Sequence, residues 1–312
     1  MTFDKLNKLA KKRKPFLFIS DFLAKEIEVI PLNELSLHDI EFCIDENYIY
    51  KKHSELFEKN AQKFKNYKEK FDDTIEEIKS GNTYLLNLTA PTKIKSDLTL
   101  KEIYRFANAH YKLRYKDDFV CFSPEKFIQI KDNKINTYPM KGTIDASLVD
   151  AKKKILKNKK EMAEHTMVVD LLRNDLSIVA KNVKVEKFRY VQKIDSGEKE
   201  LLQVSSHISG DIGSDWHSKL GDILNSLLPA GSISGTPKKS TLEIIEKIEN
   251  YDRGFFSGIF GIYDGESFDS GVMIRFIQKT KNGYIYKSGG GITLDSKASA
   301  EYNELLDKIY LP

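Results

Sequence analysis

Two residues of different chemistry lie in neighbouring polar segments of the chain. Lys141 precedes a Gly-Thr pair in residues 138–143 (YPMKGT), and Glu125 lies in residues 123–127 (SPEKF). A lysine amine can act as a nucleophile or base, and a carboxyl group can act as an acid. The pair therefore suggests an enzyme in which Lys141 and Glu125 are the candidate catalytic residues.

Two pairs of glutamates repeat one spacing on two predicted helices. Glu161 and Glu164 form one pair, and Glu301 and Glu304 form the other. Residues three apart share a helix face about one turn apart. Such pairs are common on helix surfaces that face water, where nearby lysines form ordinary ion pairs, and the spacing alone favours that interpretation. Four glutamates on two helices could equally hold Mg²⁺, which prefers carboxylate oxygen.

Three further segments could contact an anion. Residues 231–238 (GSISGTPK) precede a predicted helix, so backbone N–H groups there could bind an anion, although the segment lacks the residue order of a P-loop. The three glycines at 289–291 let a ligand approach the backbone, or they mark a bulge. Arg275 lies in a predicted strand, where it either extends from an edge or binds a carboxylate.

The elements that must position these residues alternate between short strands and long helices. The periodicity predicts an α+β fold with mainly antiparallel pairing, because consecutive strands follow each other at short spacing. Helices are predicted at residues 50–80, 150–176, 216–228, 240–248 and 299–309. Strands are predicted at residues 16–19, 28–30, 84–89, 119–122, 126–130, 135–139, 183–188 and 201–208, with more between 255 and 292.

The composition of the chain excludes several classes of protein. A formal net charge of +4 among 312 residues gives no clustered basic face, so we expect no nucleic-acid partner. The N-terminus is basic with a short apolar run, and no segment is long enough for a signal peptide or a membrane span. Cys43 and Cys121 have no metal-binding or redox spacing, so we expect two reduced, buried thiols in a cytoplasmic protein.

Six motifs, taken in order, closely resemble the chorismate-utilising enzymes. This family includes anthranilate synthase large subunits, aminodeoxychorismate synthase component I, and isochorismate and salicylate synthases. The resemblance implies a chorismate-binding fold of large antiparallel sheets flanked by helices. It also implies a catalytic domain at residues 56–312, preceded by a short strand-rich lead-in at 1–55 packed on the core. The motifs are SPEKF (123–127), YPMKGT (138–143), EMAEHTMVVDLLRNDL (161–176), PAGSISGTPKKSTLEII (229–245), GVMIRF (271–276) and GGGITLDSKASAEYNELLDKI (289–309).

Lys141 indicates the reaction within this family. Anthranilate synthases carry alanine at the matching position, whereas aminodeoxychorismate synthases carry lysine. The resemblance therefore implies Mg²⁺-dependent amination of chorismate at C4, giving 4-amino-4-deoxychorismate for 4-aminobenzoate and folate synthesis. Ammonia would come from a separate glutaminase subunit. The alternatives are anthranilate synthase component I and, with less support, an isochorismate or salicylate synthase or a non-catalytic anion-binding relative.

The resemblance also assigns roles to individual residues. Glu125 would be the general acid, which requires a raised pKa, and Lys141 would attack C2 covalently, which requires a lowered pKa. Glu164 and Glu304 would bind Mg²⁺ directly, and Glu161 and Glu301 would bind it through water. The expected substrate-binding residues are Thr143, Ser234, Arg275, Gly289, Gly290, Gly291 and Lys308.

Three positions depart from the pattern of the family. Gln203 lies where many members have histidine, and glutamine cannot shuttle a proton. Phe256 replaces a tyrosine, which removes a hydroxyl donor to the substrate and leaves more of the binding to Arg275. Leu85 stands where isochorismate and salicylate synthases carry a lysine that activates water, so addition of water at C2 is not expected.

Overall fold

The strands of the chain pair into two antiparallel sheets. The computed structural model describes residues 2–44, 58–195 and 200–312. Within these residues, one sheet has nine strands and the other has eight. Helices flank the sheets, so the predicted α+β class with large antiparallel sheets is confirmed.

The described strands follow the short-range hairpins expected from the sequence. The nine-stranded sheet runs in the order β10-β12-β9-β8-β15-β14-β1-β2, with β11 paired to β12; the eight-stranded sheet runs β13-β5-β17-β16-β7-β6-β3, with β4 paired to β5. The strands are β1 (Phe16–Ser20), β2 (Ile27–Pro31), β3 (Ile40–Ile44), β4 (Glu58–Asn60), β5 (Leu85–Lys95), β6 (Tyr111–Tyr115), β7 (Phe119–Ser123), β8 (Lys126–Lys131), β9 (Lys134–Thr137), β10 (Met140–Asp145), β11 (Lys181–Asp195), β12 (Glu200–Asp211), β13 (Gly235–Thr236), β14 (Ile259–Tyr263), β15 (Phe268–Val272), β16 (Phe276–Thr280) and β17 (Gly283–Ile292).

The helices differ from the predicted ones mainly at their ends. Short 3₁₀ helices at Leu32–Leu37 and Trp216–Lys219 supplement the α-helices. The predicted helix at 50–80 begins only at Phe64, after β4, and its residues 50–57 lie outside the described part of the chain. The α-helices are α1 (Thr2–Lys11), α2 (Phe64–Lys79), α3 (Leu100–Phe106), α4 (Ala151–Lys157), α5 (Lys159–Val179), α6 (Leu220–Leu227), α7 (Gly231–Ser234), α8 (Lys238–Glu249) and α9 (Ala298–Asp307).

The single helix predicted at residues 150–176 is two helices. Asn158 has extended backbone angles and separates α4 from α5. Its side-chain oxygen accepts a hydrogen bond from the N–H of Glu161 at 3.2 Å, so Asn158 caps α5. Glu161 and Glu164 therefore lie in the first turns of α5, where the helix dipole favours negative charge.

Strand β1 is buried on both faces, which connects the N-terminal segment to two parts of the core. Phe16 and Phe18 pack in the core cluster that contains residues of α1 and α6. The alternate residues Leu17 and Ile19 pack in a second cluster, with residues such as Phe119 of the other sheet. The core therefore joins residues 16–19 to both sheets, while the division of the chain at residue 55 stays a prediction.

Two expectations about the N-terminal segment need correction. Residues 2–11 form α1, which buries Leu6 and Ala10, although their composition indicates only a basic segment. Cys121 is buried and unpaired as expected, but Cys43 is exposed, because the outward face of β3 is not covered there.

No helix in the described ranges is both long and apolar enough to span a membrane.

Candidate active site

A pocket of about 280 Å³ lies between β10 and β12 of one sheet and β5 and β17 of the other. The turn before β8, helix α7 and the last helix α9 close its sides. Nine of the residues predicted for catalysis, metal binding or substrate binding line this pocket. They are Glu125, Lys141, Thr143, Arg275, Gly289, Gly290, Gly291, Glu304 and Lys308.

A break in the regular pairing of β10 positions Lys141. The register of β10 against β12 shifts between Met140 and Thr143. Gly142 has φ +82°, and a Cβ at this glycine would lie 3.0 Å from Oε2 of Glu161. A side chain at this position would therefore be strained and would push against Glu161. The shift places consecutive residues of β10 in the pocket lining, as β-bulges often do beside active sites.

Lys141 contacts the glutamates of α5. Its Nζ donates to Oε2 of Glu164 at 3.2 Å. Burial opposes the charged ammonium, but the carboxylates of Glu164 and Glu304 outweigh it and raise the pKa of Lys141. This direction is opposite to the lowered pKa expected for a nucleophile. Lys141 in this structure is therefore a cation that balances the glutamates.

Glu125 has the surroundings expected of a proton donor. Burial raises the pKa of its carboxyl, and the hydrogen bond from Ser232 and the positive charge of Lys141 oppose that rise. The hydroxyl of Ser232 donates to Oε1 of Glu125 at 2.7 Å. The N–H of Glu125 donates to the hydroxyl of Ser123 at 3.0 Å, which fixes the turn before β8. A raised pKa favours the protonated carboxyl that a general acid requires.

The four glutamates line one cavity next to Lys141. Glu161 and Glu164 come from α5, and Glu301 and Glu304 come from α9. Burial raises the pKa of Glu161 and that of Glu301, and neighbouring carboxylates add to the rise in both. The negative charges of two helices therefore face one another across this cavity.

Lysines balance part of this negative charge. Lys308 pairs with Glu304 at 2.7 Å, and Lys160 lies 3.6 Å from Glu164. Of the ordinary ion pairs considered for these helices, the one between Lys308 and Glu304 exists, and it lies inside the pocket. Across residues 2–44, 58–195 and 200–312, no three His, Cys, Asp or Glu side chains are close enough to hold a metal ion.

The donor set nevertheless fits a hard divalent cation. A Cβ at Gly290 would lie 3.6 Å from Oε2 of Glu301 and 3.6 Å from Oε1 of Glu304, so both carboxylates lie close to this glycine. Carboxylate oxygens whose mutual repulsion raises the pKa of Glu161 and Glu301 would be stabilised by a cation among them. Magnesium is such an ion, and the side chains that would hold it are these four glutamates.

Arg275 also lines the pocket, and its backbone conformation is unusual. The sequence predicts it within a strand, but β15 ends at Val272 and β16 begins at Phe276, so Arg275 lies in the connection between them. Its φ of +52° is rare for a residue with a side chain and costs free energy of about 1–3 kcal/mol. The guanidinium packs over the ring of Tyr310 at 5.0 Å. This backbone places Arg275 in the pocket lining.

The glycine strand provides a close backbone surface. Gly289 pairs with Thr89 of β5, and a Cβ at Gly289 would lie 2.5 Å from the carbonyl oxygen of Leu88. A side chain there would not fit without moving the strand. Lys308 Nζ donates to the carbonyl oxygen of Gly289 at 2.8 Å and so connects α9 to β17.

Helix α7 contributes a different serine from the predicted one. Ser234 is fully buried, and its hydroxyl donates to the carbonyl oxygen of Ala230 at 2.8 Å. The side chain therefore points away from the pocket, whereas Ser232 lines it and contacts Glu125. Lys238 is also turned away, because its Nζ donates to the carbonyl oxygen of Leu227 and pairs with Asp175.

The residues that depart from the family pattern lie where they affect the pocket. Gln203 and Phe256 both line it. His207 lies on the same strand as Gln203, but it hydrogen-bonds to Asn136 and stacks on Tyr138. Leu85 lines a small cavity beside Lys141 and Glu164.

Lys287 is a pocket residue for which the sequence analysis makes no prediction. It lies on β17, two residues before Gly289, and its relative exposure is only 4%. Burial lowers the pKa of its ammonium to about 8, and the carboxylates of Asp252 and Asp118 oppose this change. The clue in the sequence is a lysine directly before a serine and three glycines, in a strand whose other residues are largely apolar or small.

Comparison with known proteins shows which family has this arrangement. The family described as chorismate binding enzyme matches residues 35–311. A Haemophilus influenzae protein named "Uncharacterized PabA-like protein" is 45% identical over 99% of this chain and 95% of its own length. The predicted family resemblance is thereby confirmed.

More distant relatives carry the names of two different reactions. Aminodeoxychorismate synthase component 1 of Bacillus subtilis is 29% identical over 77% of this chain and 54% of its own length. Anthranilate synthase component 1 of Aquifex aeolicus is also 29% identical, over 78% of this chain and 53% of its own length. The chain thus spans about half the length of these two relatives, and overall identity does not separate the two reactions.

A solved structure confirms the fold independently of sequence identity. The menaquinone-specific isochorismate synthase of Escherichia coli superposes with a TM-score of 0.72 at 14% identity, covering 98% of this chain and 79% of that chain. At this identity the likeness concerns the fold alone. It supports the two-sheet architecture that holds the pocket.

Proposed function

Because this chain belongs to the family of chorismate binding enzymes, we propose that it aminates chorismate at C4 to form 4-amino-4-deoxychorismate. The observation that carries the proposal is Lys141, whose amine lies in the same pocket as the buried carboxyl of Glu125. Relatives named for amination at either position match equally well in identity. The residue at position 141 therefore distinguishes the two reactions better than overall similarity does.

The proposed chemistry begins at Lys141. Its amine, once it has lost to solvent the proton that the neighbouring carboxylates stabilise, forms a bond to C2 of the ring, and the two ring double bonds shift toward C4. The C4–O bond breaks as Glu125 protonates the hydroxyl, which leaves as water. Ammonia then bonds to C4, the double bonds shift back, the bond between Lys141 and C2 breaks with its electron pair returning to the amine, and the new C4 ammonium gives a proton back to Glu125. The net change is one ammonia consumed and one water released.

The remaining pocket residues would hold the two carboxylates of chorismate. Glu164 and Glu304 would hold Mg²⁺ directly and Glu161 and Glu301 through water, and the ion would supply positive charge for the ring carboxylate. Thr143 and Lys308 line the pocket beside these glutamates. Arg275 and the backbone of residues 289–291 would bind the enolpyruvyl carboxylate.

A residue beside the pocket is also relevant to the choice between amination and hydration of the ring. Leu85 lies beside Lys141 and Glu164 and has no group that could activate water. This supports amination rather than hydration of the ring. Ammonia would be supplied by a separate glutaminase subunit, which the proposal requires as a partner in the cell.

The product identifies the reaction. We expect the protein, incubated with chorismate, Mg²⁺ and an ammonium salt, to form 4-amino-4-deoxychorismate, which mass spectrometry and a coupled lyase that releases 4-aminobenzoate would detect. Anthranilate as the main product would refute the proposal. The Lys141→Ala variant should lose the 4-amino product, and an unchanged rate with ammonia would refute covalent attack by Lys141 while leaving the product assignment intact.

A further inference from the structure

Lys287 lines the pocket, and backbone carbonyls fix its ammonium. Its Nζ donates to the carbonyl oxygens of Arg253 at 2.8 Å and Asp252 at 3.3 Å. These acceptors are rigid, because Arg253 forms a fully buried ion pair with Glu249 at 2.7 Å. The guanidinium of Arg253 also donates to the carbonyl oxygen of Asn87, which belongs to β5. Lys287 is therefore held in one place by the fold.

In the described part of the chain, the partners of the Lys287 ammonium are backbone carbonyls and the rings of Tyr251 and Phe276 rather than a carboxylate. Among the described residues, no carboxylate lies within 4.0 Å of its Nζ. The acidic groups Asp252, Asp118 and Glu249 act on it from a greater distance, and the positive charge of Arg253 opposes them. A buried ammonium has three N–H donors, and the two backbone carbonyls accept two of them. Burying a charge without an opposite charge beside it is unfavourable, and this favours binding of an anionic ligand.

The surroundings of Lys287 indicate the chemistry of that ligand. Phe256 and Phe276 form an apolar wall next to it, and the Lys287 ammonium lies 5.7 Å from the centre of the Phe276 ring. Neither ring offers a hydrogen-bond donor. Arg275 and Gly289 line the same pocket. An anion bound here would therefore contact a guanidinium and an ammonium next to apolar side chains that exclude water. Charged hydrogen bonds are strong in such surroundings.

We propose that Lys287 is a substrate-binding residue that donates its third N–H to the enolpyruvyl carboxylate, so that this carboxylate is held by two cations, Lys287 and Arg275. The inference rests on the proposed use of chorismate but not on which product forms. It makes the pocket selective for dicarboxylates, because a monocarboxylate held at the glutamate side would leave the Lys287 ammonium without an anionic partner.

The test compares chorismate with its monoester at the enolpyruvyl carboxylate. Binding of each ligand is measured by calorimetry with Mg²⁺ and without ammonia, in the wild type and in Lys287→Met, which has a similar length but no charge. We expect Lys287→Met to weaken chorismate binding about 10- to 100-fold, the effect of losing a charged hydrogen bond, and to change monoester binding less than about threefold. Lys287→Arg should retain most of the affinity for chorismate, because it keeps the cation.

A matched control separates binding from structure. Lys112 of β6 is half-buried, and its Nζ, like that of Lys287, donates to a backbone carbonyl, that of Ala107, but it does not line the pocket. Lys112→Met should bind both ligands as the wild type does. Thermal unfolding of each variant monitors folding, and if Lys287→Met does not fold, Lys287→Gln and Lys287→Arg are compared in its place.

The outcomes distinguish this inference from the proposed function. Equal loss of chorismate and monoester binding in Lys287→Met, or no loss of either, would overturn the role of Lys287. Formation of anthranilate together with a selective loss of chorismate binding would refute the C4 amination and support Lys287. A wild-type protein that binds no chorismate would refute both.

Discussion

The pocket, taken together with the adjoining cavity that the four glutamates line, has two ends of opposite charge. At one end, four glutamates from α5 and α9 face each other, and lysines balance only part of their charge. At the other end, Arg275 and Lys287 lie against aromatic rings, and the carboxylates near Lys287 act from beyond ion-pair distance. The first end would be stabilised by a cation and the second by an anion.

This difference in charge between the two ends indicates which kind of ligand fits the pocket. In a molecule with two carboxylates, one carboxylate can bind directly to the cationic end. The other can bind to the glutamate end through a divalent ion. Glu125 and Lys141 lie along the same lining, where they can reach the atoms between those two carboxylates. The comparison therefore predicts that substitutions at the two ends affect binding, whereas Glu125 affects the chemical step.

The largest effect is expected from Glu125→Gln. Glutamine keeps the shape of the side chain but has no acidic proton to donate, so we expect kcat to fall about 10²- to 10⁴-fold. The affinity for chorismate should change little, because the groups at the two ends remain. Steady-state kinetics with ammonia, together with a binding titration, measure both quantities. A variant that loses affinity as much as kcat would show that Glu125 holds the substrate rather than protonating it.

The glutamate end is tested by Glu304→Gln. Removing one carboxylate should weaken Mg²⁺ binding about 10- to 100-fold, in line with substitutions around other metal sites. Calorimetry with Mg²⁺ alone, and the Mg²⁺ concentration needed for half-maximal rate, are the measurements. Raising the Mg²⁺ concentration should restore part of the activity.

The control for this test lies on another helix of the same protein. Glu243 and Glu246 are exposed and three residues apart on α8, so they repeat the spacing of the α5 and α9 pairs away from the pocket. Substituting both with glutamine should leave Mg²⁺ binding unchanged. If Glu304→Gln binds Mg²⁺ as the wild type does, Glu304 is only the ion-pair partner of Lys308.

The glutamate end could be predicted from the sequence, whereas the cationic end could be predicted only in part. The i, i+3 spacing of Glu161 and Glu164 indicates a shared helix face without knowledge of the fold, and the family motif then gives it a role. Lys287 carries no such signal. In a strand with alternating faces, a lysine is usually exposed. Its burial depends on β5, β16 and the segment at 250–256, which are distant in sequence.

Local backbone geometry accounts for most other differences between prediction and structure. The strands were predictable because short turns connect antiparallel neighbours. The break at Asn158, the left-handed φ of Arg275 and the orientation of Ser234 depend on single residues whose conformation is set by packing. Periodicity averages over several residues, so it does not detect such local changes.

A smaller effect is expected from Arg275→Lys at the cationic end. Lysine keeps the charge but loses the planar pair of donors, so we expect about tenfold weaker chorismate binding with little change in kcat. Binding of the enolpyruvyl monoester should be nearly unaffected. Arg173→Lys is the matched control, because Arg173 is an exposed arginine paired with Asp170 on α5. Equal weakening of both ligands would indicate that Arg275 supports the pocket wall instead of binding the carboxylate.

The smallest effect, and the sharpest comparison of the two ends, is the pH dependence of chorismate binding. The pKa of Lys287 is lowered to about 8 by burial, so its ammonium is charged below that pH and neutral above it. Only the charged form donates to a carboxylate as a cation. We therefore expect the dissociation constant of chorismate to rise above pH 8, at most tenfold per pH unit.

Substitution of Lys287 isolates this contribution from the other groups that titrate. Lys287→Arg keeps its charge throughout, so the rise in the dissociation constant above pH 8 should be smaller in this variant than in the wild type. The titratable and charged groups near Lys287 are the same in both proteins; they are Asp252, Asp118, Glu249, Arg253 and Tyr251. The difference between the two pH profiles therefore reports the proton on Lys287. Identical profiles would mean that the glutamate end alone sets the pH dependence, and that Lys287 does not contact the substrate.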